Sequence, residues 1–152
     1  MRILAIDYGT RRVGLALSDA SGILATPYAV LENHGRRRLI ERILGIVADE
    51  GVARIVVGLP VQRSGSLSES GRAALRFARR LAHASPVPVT GADESYTTTE
   101  AQSRIDEAAS MGHRTAMGID AVAAAVLLEQ YLQEIPDIPD PLPYPSDFVS
   151  KF

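Results

Sequence analysis

Asp7, Asp93, Glu94 and Asp120 are the side chains with the greatest chemical potential in this 152-residue sequence. Asp7 closes the apolar run Ile3-Leu4-Ala5-Ile6 and opens the turn Asp7-Tyr8-Gly9-Thr10-Arg11-Arg12. Asp93 and Glu94 follow a short apolar segment at residues 87–91, and Asp120 interrupts an otherwise apolar stretch at residues 118–128. A carboxylate beside a buried run is costly unless it is hydrogen-bonded, paired or bound to a metal. Carboxylates gathered at one place repel one another, and divalent cations relieve that repulsion. Oxygen-only ligands favour Mg²⁺ or Mn²⁺. Two such ions ~4 Å apart can activate a water and stabilise a leaving oxygen in phosphodiester cleavage. Each acid also has an ordinary use. Asp7 suits an Asx-type turn, Asp120 suits a helix N-cap, and Asp93 and Glu94 suit a solvated loop. Asp19 reads as a turn residue. Only the joint arrangement points to a metal site.

The elements that must position these acids follow from periodicity. The run at residues 3–6, the turn, and the resumed run Val13-Gly14-Leu15-Ala16-Leu17 read as strand, turn, strand. Residues 23–31 form a third extended segment, with Pro27 indicating an edge or a bulge. Leu39, Ile40, Ile43, Leu44 and Val47 make one helical stripe within residues 35–50. A strand at 54–58, a Ser/Gly-rich loop at 61–68, a helix at about 70–84 and a strand at 87–91 come next. Thr97 and Glu100 suit a capping box for a helix to Ala108, and a last helix spans 117–133. Five prolines between residues 136 and 145 exclude regular structure there. The expected organisation is one domain over residues 1–134 and an extended Pro-rich tail over 135–152. Short turns make the first three strands antiparallel, and helical crossovers make the later ones parallel. The fold class is α/β, a mixed five-stranded sheet flanked by helices.

Composition excludes several functions. There is no cysteine, hence no disulfide, thiolate zinc site, iron–sulfur cluster or cysteine nucleophile. His34, His83 and His113 are scattered and lack zinc-ligand spacing. No stretch approaches the ~20 apolar residues of a membrane span, and the first residues lack a signal-peptide pattern. The expectation is a soluble cytoplasmic protein without membrane partners.

The net charge of −2 conceals an asymmetry: residues 1–92 hold 13 basic and 7 acidic residues, and residues 93–152 hold 3 and 11. A basic face beside an acidic site follows. Arg11 and Arg12, next to Asp7, are the better candidates for phosphate contact. Arg72 and Arg76, with Arg79, Arg80 and His83, share about a 100° arc of the second long helix. That arc suits either a solvated face or a phosphate-contacting strip, and so does the cluster Arg36-Arg37-Arg38 with Arg42. Tyr8 and Tyr96 adjoin the acids and could stack on a base or pack internally.

Four motifs occur in order: Asp7-Tyr8-Gly9-Thr10-Arg11-Arg12-Val13-Gly14-Leu15-Ala16, Val57-Gly58-Leu59-Pro60, Asp93-Glu94-Ser95-Tyr96-Thr97-Thr98-x-Glu100-Ala101, and Asp120-x-x-Ala123-Ala124. In this order and spacing the chain resembles the YqgF/RuvX family of pre-16S rRNA nucleases and Holliday junction resolvase-like proteins, over about residues 1–133. The resemblance implies an RNase H-like fold with sheet order 3-2-1-4-5. It implies that Asp7, Glu94 and Asp120 are catalytic and hold two Mg²⁺ or Mn²⁺ ions. It also implies maturation of the 5′ end of 16S rRNA, with branched DNA as the related substrate and a pre-ribosomal particle as a partner. Ser95 stands where the family usually has arginine. Two other readings stay open. One is a non-catalytic nucleic-acid-binding ribosome-assembly factor. The other is a sugar-kinase-like or actin-like ATPase, suggested by Asp7-x-Gly9-Thr10 but opposed by the short chain. A homodimer would suit a two-fold junction.

Overall fold

Five strands, each apolar on both faces, build a sheet that helices cover from two sides. A computed structural model of the chain describes residues 1–60, 64, 66–93, 103, 107 and 118–134. The strands are β1 (Arg2–Asp7), β2 (Arg12–Ser18), β3 (Ala25–Glu32), β4 (Val52–Leu59) and β5 (Val89–Asp93). Their order is β3-β2-β1-β4-β5. β1 pairs antiparallel with β2, and β2 with β3, whereas β4 runs parallel to both β1 and β5. The mixed sheet expected from connection lengths is the one observed.

Helices α1 (Arg36–Asp49) and α2 (Glu69–Ala84) cover one face, and α3 (Gly118–Glu134) covers the other. Alternation along β1 divides the core between them. Leu4 and Ile6 pack with Leu39, Ile43, Phe77 and Leu81. Ile3 and Ala5 pack with Ala124, Leu127, Leu128 and Tyr131. The α3 side is lined by small residues, Ala5 and Ala16 on the sheet and Ala121, Ala124 and Ala125 on the helix, so helix and sheet approach closely. Among the described residues the charged exception in the interior is Arg54, on β4 opposite Ile3, at 2% exposure. Burial pushes the neighbouring Tyr131 phenol up, and the Arg54 cation partly offsets this.

Local chemistry sets the element ends. Ser68 caps α2, accepting the Gly71 N–H at 3.0 Å, so this end of the Ser-rich loop has a structural role. Gly51, in the left-handed region at φ 63°, follows α1 and turns the chain into β4. Pro27 lies on the edge strand β3, where the register with β2 shifts between Ala29 and Pro27. Tyr28 is thereby a bulge. Within the helix expected from Thr97 to Ala108, Ser103 and Glu107 are helical, and the rest lies outside the described residues, as do Glu94 and the Pro-rich tail. Among the described residues no helix is long and apolar enough to cross a membrane.

Asp19 turns the chain from β2 into β3. Its carboxylate accepts the Ser21 hydroxyl, the Ile23 N–H at 2.7 Å and the Leu24 N–H at 3.0 Å. The Ser21 hydroxyl first, then the Leu24 and Ile23 amides, lower its pKa from 3.8 to about 2. A depressed carboxylate pKa stabilises the fold above the unfolded value and loses that contribution as pH falls through the folded one. The wild type should therefore lose stability relative to Asp19→Asn as the pH drops from 3.8 to about 2. Urea unfolding across that range measures it, and a pH-independent difference would reject the Asp19 assignment.

Candidate active site at the carboxyl edge of the sheet

Asp7 is the last residue of β1 and lies opposite Gly14 of β2. Side chains of directly opposed residues share a sheet face. Counting from Ile3 and Ala5, that face is the one covered by α3. Gly14 is buried there, and a Cβ built on it would stand 1.9 Å from the Asp120 carbonyl oxygen and 2.9 Å from the Ala121 nitrogen. The first turn of α3 thus rests on the bare Cα of Gly14. Asp120 arrives beside the residue that pairs with Asp7, although 113 positions separate the two acids in sequence.

Asp120 lies within the first turn of α3, two residues after its start. The N-cap role open to it in the sequence does not hold. Asp120 instead adds a negative charge to the first turn, at the positive end of the helix. Its Oδ2 is 3.3 Å from Nε of Arg12, the residue that opens β2. The Arg12 side chain is 67% exposed and that of Asp120 is 30% exposed. Such an open pair adds little to stability, and it leaves the guanidinium accessible from solvent.

The turn from Tyr8 to Arg11 is held from outside. Asn33, after β3, donates its side-chain amide to the Gly9 carbonyl at 3.1 Å and its backbone N–H to the Arg11 carbonyl at 2.8 Å. Its Oδ1 accepts the Gly35 N–H at 3.1 Å, tying the turn to the start of α1. Gly9 allows the turn to close, because a Cβ there would meet the Arg12 carbonyl at 2.3 Å. Tyr8 stacks on Phe77, with ring centroids 4.6 Å apart and planes at 17°. One face of its ring is therefore core packing, which removes it as an open platform for a base.

The sequence candidates now have places. Asp7, Asp120 and Arg12 come together, and Arg11 adjoins them in the exposed turn. Arg72 and Arg76 do not join them. They are exposed on α2, across the sheet from α3, although the start of α2 lies against Pro60 at the same strand ends. Glu94 and Tyr96 lie outside the described residues, and Asp93 is the last residue of β5, paired with Leu59. Among the described residues no three potential metal ligands gather. Asn33 and the seat at Gly14 are the determinants that sequence reasoning passed over. A glycine inside a strand pattern does signal close backbone approach.

The model of one protein family, described as "RuvX: Holliday junction resolvase", matches residues 1–134. The chain belongs to the RuvX family. A relative from Chloroflexus aurantiacus is 35% identical over 148 residues, covering 95% of this chain and 97% of its own. One from Desulforudis audaxviator is 37% identical over 132 residues, covering 87% and 94%. Both are named "Putative pre-16S rRNA nuclease". Among solved structures, Thermus thermophilus RuvC in complex with Holliday junction substrate matches with a TM-score of 0.58 at 20% identity, covering 93% of this chain and 99% of that one. The fowlpox virus resolvase bound to Holliday junction DNA matches at 0.55 and 10% identity, covering 90% and 100%. These similarities place this RuvX chain in the RuvC-type, RNase H-like fold.

The Gly14 seat gives a direct test. Gly14→Ala puts a methyl group into backbone atoms that no rotamer change can move. Overpacking of this kind costs about 1–3 kcal/mol or more. The urea midpoint of Gly14→Ala should fall by an amount equivalent to at least about 2 kcal/mol with an unchanged slope. An unchanged midpoint would reject the seating of α3.

Proposed function

We propose that this chain is a divalent-metal-dependent nuclease acting on structured nucleic acid, with the 5′ end of pre-16S rRNA as its substrate. The observation that carries the reading is the delivery of Asp120, through the Gly14 contact, to the β1 end that holds Asp7, with Arg12 alongside. Family membership and the names of the relatives supply the substrate class.

Asp7 and Asp120 offer hard oxygen donors of the kind Mg²⁺ and Mn²⁺ accept. Glu94 is the proposed third ligand. It lies outside the described residues, and its assignment rests on the sequence motif. When bound, two ions would supply activation of water and charge neutralisation at the leaving oxygen.

The chain's own residues do the rest. Asp7 is fixed by its place in the β1–β2 ladder, and Asp120 by the helix seat. Arg12 reaches the Asp120 carboxylate from an exposed position, so the same guanidinium can meet a phosphate oxygen entering from solvent. Arg11 adds a second cation in the turn, and Arg72 and Arg76 are proposed to contact more distant phosphates. The starts of α1, α2 and α3 all lie at the carboxyl ends of the parallel strands, where an open α/β sheet binds its ligands. A cytoplasmic location and action on a pre-ribosomal particle accord with an rRNA substrate.

The second reading is cleavage of branched DNA, favoured by the family description and by the junction-bound resolvases of the same fold. A homodimer would then present two such edges to a two-fold junction. Both readings share one test. Purified protein is incubated with a precursor-type stem-loop RNA and with a four-way DNA junction, in Mg²⁺, in Mn²⁺ and in EDTA. Cleavage should require the metal, and Asp7→Asn and Asp120→Asn should each slow it by at least about a hundredfold. The faster substrate identifies the physiological class. Wild-type rates in Asp7→Asn would reject the mechanism, and binding without a product under any condition would leave the assembly-factor reading.

A further inference from the structure

A cleft of about 270 Å³ opens between the edge strand β3 and the first turns of α1. Val30 and Leu39 contribute apolar surface, and Glu32, His34, Arg38 and Arg42 contribute charge. We propose that this cleft is the track for the substrate strand flanking the scissile phosphate, with Arg38 and Arg42 holding its sugar–phosphate backbone. The proposal rests on the nuclease reading and adds a path across the molecule that the carboxylate edge does not itself define.

Position is the first argument. The cleft begins at His34, next to Asn33, and Asn33 is bonded to the Gly9 and Arg11 carbonyls of the turn after Asp7. A strand placed at the Asp7–Asp120 edge and leaving past Arg11 meets this opening. Charge is the second. Arg37 turns away from the cleft and pairs with Glu41 at 3.4 Å. Arg38 and Arg42, one turn apart, have no ion pair among the described residues. The acid in the cleft, Glu32, is engaged by His34 Nε2 at 2.9 Å, which occupies one of its oxygens.

The helix itself is the third argument. The first turn of α1 has no acidic residue, and its Gly35 cap offers no side-chain acceptor. Arginines at the positive end of a helix oppose the macrodipole. That arrangement is unfavourable for the isolated fold and becomes favourable when an anion is bound. The apolar lining fits a sugar or base between phosphates better than it fits a free inorganic ion. The arginine stripe of α2 also carries charge, but it runs along α2 away from the strand ends where Asp7 lies.

The test compares two losses of equal charge. The double variant Arg38→Ala/Arg42→Ala is measured against Arg79→Ala/Arg80→Ala, with Arg38→Lys/Arg42→Lys as the charge-retaining control. Binding of a labelled stem-loop RNA and a labelled four-way DNA junction is followed by fluorescence anisotropy in EDTA, between about 50 and 200 mM salt. Thermal unfolding checks that each variant is folded. Each lost phosphate contact lowers the slope of log K against log salt by about 0.7 for single strands and 0.9 for duplex. The Arg38/Arg42 alanine pair should therefore lower the slope by about 1.5 and weaken binding on the order of tenfold at 100 mM salt. The lysine pair and the Arg79/Arg80 pair should keep the wild-type slope. A change confined to the RNA or to the junction assigns the track to that substrate. An unchanged slope in the Arg38/Arg42 alanine pair, or an equal loss in the Arg79/Arg80 pair, overturns the track while leaving the nuclease reading intact. Absence of salt-dependent binding by the wild type overturns both.

Discussion

The contact between the Asp120 carbonyl and the unsubstituted Cα of Gly14 is the constraint on which the site depends. β1 and β2 are fixed by their ladder, and α3 packs against them through alanines and, further along, Leu127, Leu128 and Tyr131. How closely the first turn of α3 approaches is set at Gly14, where its backbone lies against the sheet. A helix rises about 1.5 Å per residue, so a slip of one position would carry the Asp120 carboxylate away from the Asp7 level and from Arg12. The many alanines at the interface give close approach but little shape to resist sliding. The backbone contact at Gly14 fixes the position of the first turn.

Electrostatics reinforces that geometry. The starts of three helices converge where β1, β3, β4 and β5 end, and each contributes roughly half a positive charge. Arg11 and Arg12 add full charges around the same edge. The negative net charge of the chain therefore misrepresents the surface that an incoming polyanion meets. Phosphates approaching this edge meet positive helix ends and arginines.

Much of this was legible in the residues. Strand periodicity and connection lengths were enough for the mixed sheet, and Pro27 marked the edge strand with its bulge. Asp7 stood out because a carboxylate rarely ends an apolar run without a reason. The rest required three dimensions. Gly14 went unread as a point of close approach, and no local signal names α3 as the element that approaches. Asn33 acts on backbone carbonyls of residues more than twenty positions earlier, and backbone partners leave no trace in side-chain patterns. Tyr8 offered two uses at one position, and only the placement of Phe77 on α2 decided for packing. The basic stripe of α2 stayed open between a solvated face and a phosphate strip, behind Arg11 and Arg12, because helical periodicity fixes which residues share a face and not what that face meets.

The bulge at Tyr28 has a consequence for how the molecule behaves in a crowd. β3 forms the outer margin of the sheet, where unpaired amides and carbonyls would invite another chain to add a strand. The register shift bends that margin, and Pro27 beside it removes one amide donor. A foreign strand would find neither a straight ladder nor a full set of partners. The same irregularity guards against edge-to-edge aggregation during synthesis, before any substrate is present to cover the neighbouring surface.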